Sequence, residues 1–163
     1  LRAEQGWVAL ADAKSARYDF HNASISGETS AGGRSRIGAE RERVRPDIVI
    51  IELGANDGLR GLPLQQLGAN LGWMIGASKA AGARVLLVGM QLPPNFGRYA
   101  SDFERSYLLI SQRLQTGLLP RFLAPLGTER KWFQADNLHP VAEAQPLLAA
   151  QVLQALAGLP PPR

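Results

Sequence analysis

Hydrophobic and polar positions change period several times along the chain, and each change marks an element. Residues 4–16 put Trp7, Leu10 and Ala11 at helical spacing with few breakers, which predicts a helix. Residues 18–23 read as a short strand feeding a Ser/Gly-rich loop. Residues 33–44 form a charged helix that Pro46 stops. Asp47-Ile48-Val49-Ile50-Ile51-Glu52-Leu53 is the clearest strand. Its run of β-branched residues does not alternate with polar ones, as expected of a parallel strand covered on both faces. Pro63 opens the next helix, where Leu64, Leu67, Leu71 and Ile75 step by three or four until Gly82. Residues 84–90 form another buried strand, followed by a Pro-rich loop. A long helix over 101–116 carries Phe103, Tyr107, Leu108, Ile110 and Leu114. Residues 118–123 read as a short last strand weakened by Pro120. An Ala/Leu-rich helix over 140–156 follows, with Pro146 marking a kink or a late start. Helices alternating with buried strands predict an α/β fold: three α/β/α layers around a parallel sheet.

Composition narrows this picture. With 163 residues and 45% hydrophobic content, residues 1–158 suit one domain with a continuous core, and 159–163 form a Pro-rich, frayed tail. Cysteine is absent and there are two histidines, without an HExxH-like spacing, so neither a metal nor a cofactor is expected. The net charge is +4, but the densest basic run (Arg34, Arg36, Arg41, Arg43, Arg45) is interrupted by Glu40 and Glu42. That pattern describes a solvated helix face and not a nucleic-acid surface, leaving only a weak attraction to anionic lipid. No stretch approaches the roughly 20 apolar residues of a membrane span. Leu1-Arg2-Ala3-Glu4 lacks an initiator Met and reads as a processed or truncated end.

Candidate chemistry lies in three blocks, each expected beyond the carboxyl end of a strand, where ligands bind in such sheets. Asp136-Asn137-Leu138-His139-Pro140 sets a carboxylate three residues before a histidine. A neutral imidazole can take a serine proton near neutral pH, and an aspartate can fix its tautomer. On its own the spacing also describes an aspartate capping the next helix beside an exposed loop histidine. Asn56, after Gly54-Ala55, can aim its amide into the rim as an oxyanion donor. Gly27 allows close approach of a carbonyl oxygen to its N–H. Singly, Gly27 and Gly54 also suit turns of positive φ, and Asn56 or Asp57 an Asx-turn. The meeting of the three blocks on one rim favours a site.

Taken together these residues resemble the SGNH (GDSL-type) hydrolases, in the bacterial branch of acyl-CoA thioesterases, arylesterases and lysophospholipases. Asn22-Ala23-Ser24-Ile25-Ser26-Gly27-Glu28-Thr29-Ser30 is similar to that family's second block, and Ile51-Glu52-Leu53-Gly54-Ala55-Asn56-Asp57-Gly58-Leu59-Arg60-Gly61 to its third. Gln91-Leu92-Pro93-Pro94-Asn95-Phe96-Gly97 resembles a substrate-side loop, and Asp136 to Pro140 the fifth block. The resemblance implies a flavodoxin-like SGNH fold and a serine-type ester or thioester hydrolase acting through an acyl-enzyme. It assigns Gly27 and Asn56 to the oxyanion hole and Asp136 and His139 to the acid and base. It also implies a small-molecule acyl substrate, a monomer, and a periplasmic or secreted location. Leu59, Leu62, Leu92, Pro93 and Phe96 are candidate acyl contacts, with plain loop packing as the alternative.

The family's first block, Gly-Asp-Ser-Leu at the end of the central strand, has no counterpart in the chain. The nucleophile is therefore expected upstream of Leu1, since Ser24, Ser26 and Ser30 do not sit on a strand-to-helix elbow. In the family that strand lies between the segments 18–23 and 47–53. They should then stand roughly 9–10 Å apart, two strand spacings, instead of pairing, and the isolated chain should be inactive and poorly stable. The competing reading is a catalytically silent acyl- or lipid-binding module. A nucleotide-binding domain is disfavoured because no GxGxxG or GxxxxGK[ST] follows the strands.

Overall fold

The computed structural model describes residues 2–160. Three parallel strands, β1 (Ile48–Ile51), β2 (Arg84–Val88) and β3 (Gly117–Leu119), form a sheet in that order. Ile48 stands opposite Arg84 and Ile51 opposite Leu87; Leu86 pairs with Gly117 and Val88 with Leu119. Parallel neighbours need a crossover, and α4 (Leu64–Ala80) and α5 (Arg98–Leu114) supply the two.

Alternate strand residues enter opposite cores. Val49, Ile51, Val85 and Leu87 pack with Leu67, Leu71 and Ile75 of α4 and with Phe103, Tyr107 and Ile110 of α5. Ile48, Ile50, Leu86 and Val88 join Leu148, Val152 and Leu156 of α6 (Gln145–Ala157), and Trp7 of α1 (Trp7–Lys14) lies against them. On the first face α2 (Ser30–Val44) packs on α4; on the second, α1 packs on α6. These are the three layers that the apolar runs predicted.

The strands differ in burial, and the difference locates the site. Val85, Leu86, Leu87 and Val88 of the central strand are at most 4% exposed. Ile48, Val49 and Ile50 of β1 are only half-buried, although their side chains are as apolar. Beside β1 runs a groove of about 790 Å³ whose walls include Tyr18, Phe20, Ile48, Ile50 and Glu52.

Residues 18–23 are not a strand. Among the described residues no backbone hydrogen bond joins them to β1. Two of their amides find local acceptors instead: Tyr18 N–H donates to Ser15 Oγ (2.8 Å) and Phe20 N–H to Asp12 Oδ1 (2.9 Å). A lone extended segment has no ladder to join, so side chains satisfy its donors. The groove separates it from β1, as the expectation of non-pairing requires.

Other boundaries move for equally local reasons. Helix α2 begins at Ser30, ahead of the expected residue 33, and ends at Val44, where Arg45 turns left-handed (φ 51°) before Pro46. Strand β3 stops at Leu119 because Pro120 has no N–H for the ladder. The last helix starts late, at Gln145 with Pro146 in its first turn, after a 3₁₀ turn over Ala142–Ala144. Residues 54–57, expected as a sharp turn, open a short helix, α3 (Ala55–Leu59). The tail is anchored where it begins: Leu159 packs on the second core and Pro160 C=O accepts from Arg84 (2.9 Å). Residues 161–163 lie outside the described residues.

Candidate active site

Gly54 makes the turn from β1 into α3. Its φ of +118° suits glycine, and a Cβ there would strike the Tyr107 hydroxyl, which donates to Leu53 C=O (2.9 Å). The turn puts Asn56 one residue into α3, beyond the carboxyl end of β1. There the Asn56 amide donates to the carbonyl of Glu28 (3.0 Å). This bond fixes which way the amide points and occupies one of its two hydrogens.

Gly27 stands in the same loop as Glu28, at φ +76°, with open space where a side chain would lie. Among the described residues its N–H has no acceptor, and its carbonyl accepts from Arg60 (3.3 Å). Glu28 is held in turn by a two-pronged ion pair with Arg36 (2.7 and 2.5 Å). Two N–H groups, one backbone and one side-chain, are thus gathered by a single loop–helix junction.

The acid and base form a second unit. His139 Nδ1 lies 2.7 Å from Asp136 Oδ2, while Asp136 Oδ1 accepts the N–H groups of Leu138 (2.9 Å) and His139 (3.0 Å). Asn137 adopts φ 58° to close this tight turn. The hydrogen bond from the His139 ring, followed by the two backbone N–H groups, holds Asp136 far below the ordinary carboxylate range. Because an ionised carboxylate only accepts, the Nδ1 proton belongs to this bond. Nε2 is left as the acceptor, on a side chain 71% exposed. The geometry is that of a general base with its tautomer set. Gln134 N–H to His139 C=O (2.8 Å) and Val141 N–H to Trp132 C=O (2.9 Å) brace the loop as a hairpin leading into α6.

Among the described residues no hydrogen bond joins the two units directly; Trp7 links the elements that carry them. Its backbone N–H donates to Gln145 Oε1 at the start of α6 (3.0 Å), and its indole N–H to Glu52 Oε2 just past β1 (3.0 Å). Desolvation pushes the Glu52 carboxyl up to about 7, against the lowering effect of the indole hydrogen bond. The walls of the groove along β1 also include Ser24, Ile25 and Glu28, the last held by Asn56.

Of the expected acyl contacts, Leu92 is 9% exposed and part of the first core, facing Gly58 and Phe103, so its packing is structural. Leu59 and Phe96 are half-buried against the same core. Leu62 and Pro93 are half-buried, and Leu62 C=O accepts from Tyr99 (2.6 Å). Ser24 and Ser26 are exposed, and among the described residues neither hydroxyl meets a histidine. Ser30 is fully buried, its hydroxyl given to Asp57 (2.5 Å). No described group of three or more His, Asp or Glu residues is arranged to hold a metal ion.

Sequence reasoning passed over Trp7, Glu52 and the buried Asp57. A Trp at helical spacing with Leu10 and Ala11 reads as core, and only the folded chain shows its indole meeting a carboxylate.

Comparison with known proteins identifies the family. The chain is 46% identical over 164 residues to "Esterase TesA" of Pseudomonas aeruginosa, covering 98% of this chain and 82% of that protein. It is 38% identical over 151 residues to "Thioesterase 1/protease 1/lysophospholipase L1" of Escherichia coli K12, covering 91% and 73%. The crystal structure of TesA superposes with a TM-score of 0.91 at 46% identity, over 96% of this chain and 89% of that one. The model of the GDSL-like Lipase/Acylhydrolase family matches residues 1–146. With fold, blocks and relatives in agreement, the chain belongs to the GDSL-like lipase/acylhydrolase family.

Proposed function

We propose that the protein is a serine-type hydrolase of carboxylic esters and thioesters, with aryl esters, acyl-CoA and lysophospholipids as its substrate classes. Asp136 and His139 act as acid and base, and Gly27 N–H and the free Asn56 N–H receive the oxyanion. The attacking serine is carried by a further parallel strand seated in the groove beside β1. The observation that carries this reading is the groove itself. It follows half-buried β1, and its walls reach Glu28, whose carbonyl Asn56 holds, so a strand running parallel to β1 would finish near Gly27 and Asn56. Relatives named as esterase and thioesterase support the reaction class.

In the proposed reaction the serine oxygen bonds to the substrate carbonyl carbon while His139 Nε2 takes its proton. The carbonyl oxygen becomes an oxyanion held by the two N–H groups. His139 then protonates the departing alkoxide or thiolate as its bond to carbon breaks. Water repeats the sequence on the acyl-serine, with His139 again taking and returning one proton. Asp136 holds the ring and offsets the imidazolium charge. Half-buried Leu59, Leu62, Pro93 and Phe96 line the acyl side in this reading. We extend it to a monomer in the periplasm or outside the cell, with weak attraction to anionic lipid; its support is the family resemblance and the scattered arginines.

The test is a chain bearing an added strand that ends in Gly-Asp-Ser, assayed on p-nitrophenyl esters, acyl-CoA and lysophosphatidylcholine. Asn56→Ala should lower kcat by about 10²–10³-fold, and Asp136→Asn by about 10⁴-fold. Binding of these ligands without turnover, unchanged by either substitution, would favour the silent acyl-binding module.

A further inference from the structure

Helix α3 and the residue after it grip the 27–30 loop at three successive points. Asn56 takes the Glu28 carbonyl, Arg60 takes the Gly27 carbonyl, and the Asp57 carboxylate accepts both the N–H (2.8 Å) and the hydroxyl (2.5 Å) of Ser30. The third grip is of a different kind, because it is out of solvent's reach. Asp57 is 2% exposed, Ser30 0% and Asn70 5%. Ser30 Oγ also accepts from Asn70 Nδ2 (3.0 Å), and Asn70 Oδ1 accepts from Arg34 (3.2 Å).

None of the three buried groups can touch a substrate, yet the Asp57–Ser30 bonds join the two segments that carry the oxyanion donors. Ser30 lies three residues after Gly27, and Asp57 follows Asn56 directly. We infer that Asp57, acting through Ser30 and Asn70, is a positioning residue that sets the spacing of the two oxyanion donors. This inference rests on the serine-hydrolase reading above and adds to it a group that the reaction itself does not use.

The chemistry of the clamp requires a carboxylate. Ser30 offers two hydrogens, and Asp57 provides a separate oxygen for each. An amide in its place has only one acceptor oxygen, so one buried donor of Ser30 loses its partner. Ser30 is also the first residue of the 15-residue helix α2, whose positive end favours an anion there. Oxyanion donors act over about 2.7–3.1 Å from the developing charge, and a misplacement of about 1 Å costs on the order of 10²-fold in rate.

The experiment compares Asp57→Asn with Ser78→Ala, which removes an equally buried hydroxyl that donates to Met74 C=O (2.8 Å) within α4, away from the site. In the strand-bearing chain, assayed below the unfolding range of both variants, Asp57→Asn should lower kcat by about 10- to 100-fold with KM within about twofold. Ser78→Ala should lower the melting temperature and leave kcat unchanged. In the 163-residue chain, NMR should show hydrogen exchange at the Asn56 side-chain amide at least about tenfold faster in Asp57→Asn, but not in Ser78→Ala. A kcat loss no larger than the control's, or unchanged Asn56 exchange, overturns the inference. If the strand-bearing parent hydrolyses nothing, the hydrolase reading fails separately, and the exchange measurement still reports on the clamp.

Discussion

Asn56 has two amide hydrogens, and the Glu28 carbonyl holds only one. Such economy at single residues is what the site is made of: His139 uses one ring nitrogen to meet Asp136 and keeps the other free. Glu52 is the residue whose chemistry reaches furthest beyond its place in the sequence. Its carboxyl is pushed up from 4.5 to about 7 by desolvation. A raised folded-state value means that the folded chain holds this proton more tightly than the unfolded one. The associated stability is fully present below pH 4.5 and is lost as pH rises to about 7. Urea unfolding midpoints should therefore fall across that window in the parent, and Glu52→Gln should flatten the fall. An unchanged profile would show that Glu52 is ionised at no cost. Asp136 works with the opposite sign: its contribution is present at neutral pH and lost on acidification. The residues of the Asp136/His139 and Gly27/Asn56 units were legible as types at a spacing. Trp7 and Glu52 were not, because 45 positions separate them and only tertiary packing joins them.

Among the elements, β1 and β2 make the sharpest contrast. Both read as uninterrupted apolar runs, yet only the central strand is sealed on every side. A bare β edge beside an open groove is a place for strand addition. Filling it should raise thermal stability and slow exchange of the β1 amides; unaltered exchange would mean that the added strand sits elsewhere. The β1–α3 turn is equally specific in its demand. Gly54→Ala would combine left-handed strain with overlap on Tyr107, costing about 2–4 kcal/mol in chemical denaturation. The long helices and the buried strands were readable from period alone, whereas residues 18–23 were misread as a strand. Its Tyr-Asp-Phe alternation carries a strand's pattern, but strand structure depends on a partner's hydrogen bonds, which no local pattern encodes. The short α3 was missed for a related reason. A five-residue helix has too few positions to show a period, and its Gly-Ala-Asn-Asp start reads as a turn.

At the scale of the whole molecule, the sheet divides the chain into two cores, and the Gly27/Asn56 junction stands beyond the carboxyl end of β1. No helix among the described residues is long and apolar enough to cross a membrane. The excess of positive charge is dispersed, and much of it is committed: Arg36 to Glu28, Arg43 to Glu40, Arg121 to Glu104. Such pairing leaves little of a continuous basic surface for a polyanion. The proposed function joins the scales in one arrangement, with His139 as base and Gly27 and Asn56 as oxyanion donors for a serine carried on a strand beside β1. The most direct measurement of that arrangement is the rate of p-nitrophenyl ester hydrolysis by three proteins: the 163-residue chain, the same chain with a strand ending in Gly-Asp-Ser, and that extended chain with His139→Ala. The account predicts hydrolysis by the extended chain alone, falling by about 10⁴–10⁶-fold without the imidazole. Equal rates for the first two, both dependent on His139, would contradict it by showing that the attacking hydroxyl lies within residues 1–163.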